Sequence, residues 1–567
     1  MSSKLDNNPN DEKLALPPQD KELGETPPPP TSAEPVNTAP EVSDDDDDLS
    51  HDDGRPKTLP FSKGRCIALV ATLTGASFMN TLSLQAVVII LPTIGRALDI
   101  PDSRQQWIVS AYSLTFGCFL LLWGRIADIY GKRKIFVLGS AWVTATTLVN
   151  PFVPNEIGFD IFRALQGLGA AANVPTAIGI LGTTFPPGKA KNYSFSAYAA
   201  GAPLGSIFGN LLGGLIASYA NWKWVFGAMA LLALIITVAS VFVIPPPPTT
   251  LRAQGVRVKA TVDWIGAVII TTGLVALLFA LTEGNVVGWS TPWIPVLIVV
   301  SIILIAIFVF WQCYLEKTGK ATPLMKVSIF KSKRFSAGMF IMALFFASFN
   351  GYLVYATYYF QDYQGLSAIQ TTLRFIPTGI MGVTTAAVVS RLIAVIPTYM
   401  LLLFGNFCVS VSCLLFAVPI PATTSYFAYG LPAMILCVLG ADTTWPSLTL
   451  FTSHSLPHED QAMGGALVNA VGQFGRAIGL AIGTAIQTAV MAHERGTDVQ
   501  HVGSLQVHED ATWLGLRAAQ WLNFALGMTS FTVVALAFRG SGIIGKAGVQ
   551  ERGRTGGEEG IMDEEND

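Results

Sequence analysis

Residues 124–134 read GRIADIYGKRK and set Arg125, Asp128, Lys132, Arg133 and Lys134 beside Gly124 and Gly131, between two long apolar stretches. An acid this close to bulk water can pair with a basic group or with the N-terminus of a helix. The same cluster also fits a plain positive anchor with one incidental acid. Asp442, in LGADTTWP, is the only carboxylate well inside an apolar stretch, whereas Asp160, Asp263, Glu283 and Asp362 stand at the edges of theirs. A lone acid at that depth marks an ion or proton pathway by default. Arg163 and Arg476 are deep cations. Arginine stays protonated, so each can tune an acid but not replace it. An Asp442–Arg476 pair is the structural alternative, and a pair that breaks and remakes would serve as a switch.

Other chemistries find no support. Gly-Lys occurs four times, followed by Arg133, Ala190, Ala321 and Ala547, so the Ser or Thr of a phosphate-cradling loop is missing. Cys66, Cys118, Cys313, Cys408, Cys413 and Cys437 show no CxxC spacing and read as small hydrophobes, with neither a metal site nor a disulfide framework. His493, His501 and His508 share one loop and read as solvated. A net charge of −3 gives no sign of a nucleic-acid partner. The chain is read as a non-enzyme with no cofactor.

The elements that hold these residues are set by hydrophobic length. The chain is 51% hydrophobic and 13% charged, where soluble domains carry about 25% charged residues. Stretches of roughly 20 mostly apolar residues recur at 67–91, 105–123, 135–153, 158–184, 194–217, 222–244, 264–282, 293–313, 336–359, 371–390, 397–417, 427–451, 463–490 and 516–538, which makes fourteen spans. With the N-terminus inside, the inward loops hold 16 Lys and Arg and the outward loops 4, counting Lys223 at the edge of its span. That asymmetry places both termini in the cytoplasm, and it makes 124–134 the inward loop between the second and third spans.

The expected organisation is an all-α membrane protein divided six, two, six. Residues 1–60, with PPPP at 27–30 and DDDDD at 44–48, are read as a disordered cytoplasmic tail. A six-helix bundle follows at 65–244. Residues 245–313 form a PPPP-led linker and two extra spans, 314–334 a basic cytoplasmic loop, 335–540 a second six-helix bundle, and 541–567 a second disordered tail.

GRIADIYGKRK closely resembles the signature between the second and third spans of the major facilitator superfamily, through Gly124, Asp128, Gly131, Lys132, Arg133 and Lys134. The resemblance implies a major facilitator fold of about fourteen helices. It also implies that this acid and these cations latch the inner ends of helices across the two halves. RALQGLGAAANVP at 163–175 resembles the family's fourth-span motif and carries Arg163. GAPLGSIFGNLLGG at 201–214 resembles the fifth-span motif of exporter branches, through Gly201, Pro203, Gly205 and Gly209; Ala202 and Ser206 depart from it. Fourteen spans and NWKWVFGAMA at 221–230 resemble the drug:proton antiporter branch, most closely its fungal aminotriazole-resistance type. That branch commonly carries an aspartate in the first span, where this chain has Ser83.

What the resemblance implies is a secondary transporter in the plasma membrane, a monomer in the lipid bilayer, whose partners are a small-molecule substrate and protons. It would export toxic small molecules, drugs or secondary metabolites by alternating access. The alternative is a uniporter or importer of a small polar solute such as ammonium or borate, favoured by the missing first-span acid. Proton coupling falls to Asp442 with Arg163 and Arg476, and the candidate substrate contacts near the midplane are Asn80, Gln85, Gln166 and Asn173.

Overall fold

Long runs of Leu, Ile, Val, Phe and Ala leave the backbone no partner but itself once it is in lipid, so they coil into helices. A computed structural model describes residues 61–100, 105, 107–186, 188–246, 262–319, 322–419, 424–457 and 460–543. Fourteen of its helices are long and apolar enough to cross a membrane. They are α1 (Lys63–Ala97), α2 (Trp107–Tyr130), α3 (Lys132–Val149), α4 (Glu156–Thr184), α5 (Lys189–Tyr219), α6 (Lys223–Val243), α7 (Trp264–Val287), α8 (Trp293–Thr318), α9 (Lys333–Tyr358), α10 (Ala368–Leu392), α11 (Thr398–Ala417), α12 (Tyr426–Ser455), α13 (Gln461–Arg495) and α14 (Asp510–Ala537). The tails expected at 1–60 and 541–567 and the linker at 245–248 lie outside the described residues, except for 245–246 and 541–543.

Each span expected from the sequence is present, and several run further than their apolar stretch. α13 extends over Gln461–Arg495 against an expected 463–490, because the backbone ladder continues where polar side chains reach water. Residues 124–134 are not the loop expected. α2 continues through Asp128 to Tyr130, and α3 begins at Lys132. Gly131 alone makes the turn, at φ 104°, a backbone conformation that side-chain-bearing residues rarely adopt.

The packing repeats itself. α1 lies on α5 as α9 lies on α13, α2 on α4 as α10 on α12, and α3 on α4 and α6 as α11 on α12 and α14. The two six-helix groups meet through α2 with α13 and, in the matching position, α5 with α10. α4 is the most enclosed helix, with 83% of its most apolar window buried, against 17% for α8, whose Val296, Val299, Ile303 and Phe310 face outward. α7 pairs with α8 and touches both α2 and α13. The indole of Trp107 on α2 donates to Glu283 near the far end of α7 at 2.8 Å.

Candidate functional site: an inner clasp and a seam acid

The end of the bundle that carries Asp128 is termed the inner end, after the loop charges. There α2 meets the start of α13. Gly124 allows the approach, since a Cβ at that position would stand 2.6 Å from the Ala466 Cβ. One turn on, the Asp128 carboxylate accepts the backbone N–H of Met463 at 2.9 Å and of Ala462 at 3.2 Å. These are among the first N–H groups of α13, which have no partner within their own helix, and the helix dipole favours an anion there. Lys132 pairs with the same carboxylate at 3.1 Å.

The rest of the signature divides. Arg133 donates to the Val241 carbonyl at 2.7 Å and so braces α3 against α6. Lys134 is exposed. A second ion cluster, not foreseen from the sequence, stands beside the first. Asp460, immediately before α13, pairs with Arg125 of α2 at 3.2 Å and with Lys326 at 2.9 Å. In the sequence Lys326 is only a loop charge, and Arg125 is one of the cations beside Asp128.

Arg163 is fully buried within the first six-helix group. Its guanidinium donates to the Ile108 carbonyl at 2.9 Å, to Gln166 Oε1 at 2.6 Å and to Ser83 Oγ at 3.3 Å, and lies 4.8 Å from the Tyr112 ring centroid. Gln166 in turn donates to Ser83 at 3.0 Å and to Thr147 at 2.8 Å. Ser83 therefore touches both the arginine and Gln166.

Three of the four candidate substrate residues are not at the meeting of the halves. Asn80, Gln166 and Asn173 line a cavity of about 20 Å³ bordered by α1, α2, α3, α4 and α6, which has room for one water. Gln85 faces α5, its Cβ 3.0 Å from where a Cβ on Gly209 would stand. α4 is small and apolar on nearly every side, so the sequence carries no face by which to place its polar residues.

The fifth-span glycines pack against the α1 backbone. Cβ atoms at Gly201, Gly205 and Gly209 would meet the carbonyl oxygens of Thr74, Phe78 and Leu82 at 2.7, 2.3 and 2.7 Å. Pro203, from the same run, faces α10, where its ring would lie 2.9 Å from a Cβ on Gly382. That same Cβ would stand 3.2 Å from Asp442 Oδ2. Asp442 is thus buried where α5, α10 and α12 converge, and its Oδ2 has no hydrogen-bond partner. One turn along α12, Trp445 stacks on Tyr198 of α5 at 5.8 Å between ring centroids. The Asp442–Arg476 pair considered from the sequence is not formed. Among the described residues, neither Asp442 nor Arg476 stands in an ion pair, and the Arg476 guanidinium lies over the Phe346 ring at 4.4 Å.

Residues 73–480 match the Major Facilitator Superfamily. The low affinity ammonium transporter of Saccharomyces cerevisiae is 33% identical over 432 residues, covering 76% of this chain and 82% of that protein. The aminotriazole resistance protein of the same yeast is 29% identical over 449 residues, covering 76% and 77%. Among solved structures, the human organic anion transporter MFSD10 superposes with a TM-score of 0.57 at 16% identity, covering 83% of this chain and 99% of that one. With a signature acid seated on the helix N-terminus it faces, and a family match across most of its spans, the chain belongs to the major facilitator superfamily and is a multi-pass membrane transporter.

Proposed function

We propose that this transporter is a proton-coupled exporter of toxic small molecules, drugs or secondary metabolites, working as a monomer in the plasma membrane by alternating access with both termini in the cytosol. The observation that carries the reading is Asp442, a buried acid with no cation partner among the described residues, at the contact of α5, α10 and α12. Proton uptake or release there changes the charge at a seam that must open and close during transport. The exporter-type glycine and proline run contributes Pro203 to that seam, and the aminotriazole resistance relative agrees with export. The clasp at Asp128 holds the inner end shut in this state.

A second reading, uniport or import of a small polar solute such as ammonium or borate, is favoured by Ser83. With a hydroxyl instead of an acid beside Arg163, the first half has no titrating pair at that position. The ammonium transporter relative agrees with it. Flux in proteoliposomes decides between the two. Uphill movement of a toxicant driven by an imposed pH gradient supports the exporter, and flux indifferent to that gradient supports the uniporter.

A further inference from the structure

Residues 322–332, ahead of α9, are docked rather than loose. Gln312 and Glu316, on the last turns of α8, accept the backbone N–H groups of Met325 and Ser328 at 3.2 and 3.1 Å. Gln312 also donates to Asp263, the cap of α7, at 2.7 Å. At its other end the segment is fixed to α9. Ser336 donates to the Phe330 carbonyl at 2.5 Å, and the Phe330 ring packs edge-on against Phe335 at 5.5 Å. α9 in turn packs along α13. Lys326, held in the middle of this strap, is tied to α8 on one side and to α9 of the second six-helix group on the other, and its partner Asp460 stands at the head of α13. Arg125, the other partner of Asp460, rides on α2 of the first group.

We propose that Asp460 is the shared counter-charge of a cation exchange that sets the balance between inner-closed and inner-open states: it releases Arg125 when the inner end opens and keeps Lys326. This rests on the alternating-access reading above. A carboxylate stripped of both cations as the clasp parts would be left uncompensated, which is costly for a group this enclosed. The strap supplies a cation that does not leave. Lys326 is then a positioning residue whose effect is opposite in sign to that of Arg125. Removing Arg125 withdraws a contact from the closed state only. Removing Lys326 leaves Asp460 with Arg125 in the closed state and with nothing in the open one.

The test uses the full chain with its six native cysteines replaced and a single Ile178→Cys reporter. Ile178 is buried against α13, where a Cβ on Gly465 would lie 2.8 Å from its own, so a thiol there is shielded until the inner end opens. Arg125→Gln should raise the rate of maleimide labelling, and Lys326→Gln should lower it. The Lys326 change should be about fivefold at most, because its side chain is 45% exposed and the pair is screened. Lys326→Arg should restore the wild-type rate. If Lys326→Gln raises labelling, or leaves it unchanged while Arg125→Gln and Asp128→Asn raise it, the exchange is refuted and Lys326 is an ordinary clasp cation or a bystander. If Arg125→Gln and Asp128→Asn also leave labelling unchanged, inner closure itself is refuted, and the exchange falls with it.

Discussion

Asp128 binds Met463 across the interface of the two halves, its carboxylate accepting at 2.9 Å an N–H that α13 cannot satisfy itself. Charge contributes as well as geometry, since an anion at a partly buried helix N-terminus is worth up to about 2 kcal/mol. Asp128→Asn keeps the size and can still accept one hydrogen bond. We expect normal membrane levels, a closed-to-open ratio reduced on the order of tenfold, and transport reduced with it. Unchanged transport at equal membrane abundance would make the segment a topogenic anchor only.

Ser83 and Arg163 give a second test. Ser83 is 2% exposed and lies 3.3 Å from the guanidinium. Ser83→Asp therefore places a carboxylate beside a cation already held by Ile108 and Gln166, and the variant should assemble. Combined with Arg163→Gln, the same acid is buried with no cation, at a cost of several kcal/mol. The double variant should lose far more thermal stability in detergent than the sum of the single changes. Simple additivity would mean that the two side chains do not meet.

The fifth-span run holds glycines of unequal importance. A Cβ at Gly205 would stand 2.3 Å from the Phe78 carbonyl, and backbone cannot move aside as a side chain can. At Gly214 the nearest atom is Ile89 Cγ2 at 4.0 Å, an ordinary contact. Gly205→Ala should destabilise by about 1–3 kcal/mol, and Gly214→Ala by within about 0.5 kcal/mol of zero. Melting temperatures of the purified variants would show the contrast. Equal effects would contradict the close α1–α5 packing.

How far the sequence could be read follows from what each signal depends on. Span number depends on hydrophobic length, which is a local sum, and α1 to α14 fall where that sum places them. Asp128 was legible because its neighbours form a family pattern. Asp460 was not, since its partners Arg125 and Lys326 lie 335 and 134 residues away, and a loop charge looks the same in sequence whether it anchors or clasps. Gln166 and Asn173 could not be oriented from the sequence because α4 presents no polar face, and Asn80 on α1 accepts from Tyr112 of α2, a pairing visible only after folding. Asp442 could be singled out by depth alone, but its neighbours Gly382 and Pro203 come from two other helices and were visible only after folding.

Acid should loosen one outer segment late. Arg495 at the end of α13 pairs with Glu509 and also holds the carbonyls of Val502 and Ser504. The hydrogen bonds from Arg495, with a smaller part from Thr512, hold the Glu509 carboxyl below its usual range. A lowered acid contributes stability above its unfolded value, about 4.3, and loses it as pH falls through the folded one. Protease sensitivity of residues 496–509 added from outside should therefore stay flat from neutral pH down to the ordinary glutamate range and rise only below it. Glu509→Gln should be sensitive already at neutral pH. A rise in the unmodified protein well above the glutamate range would show that another group governs this segment.

Asp442 bears on the coupling itself. Its carboxylate faces Gly382 and, beyond it, Pro203, with no cation in ion-pair range among the described residues. Asparagine keeps the shape and removes the proton site, so Asp442→Asn should assemble normally, since no ion pair is broken. It should lose accumulation driven by a pH gradient in proteoliposomes and keep exchange of substrate down its own gradient. Arg476 rests on Phe346 and makes no ion pair with Asp442, so Arg476→Gln should weaken transport independently. In free-energy terms, the effect of the double variant on exchange should equal the sum of the single effects within about 0.5 kcal/mol. Gly382→Ala adds a Cβ 3.2 Å from Asp442 Oδ2 and 2.9 Å from the Pro203 ring. It should slow the cycle while leaving the proton requirement in place, because it crowds the seam without removing the acid. If the Asp442→Asn protein still concentrates substrate against its gradient, the acid is structural and the uniport reading takes precedence.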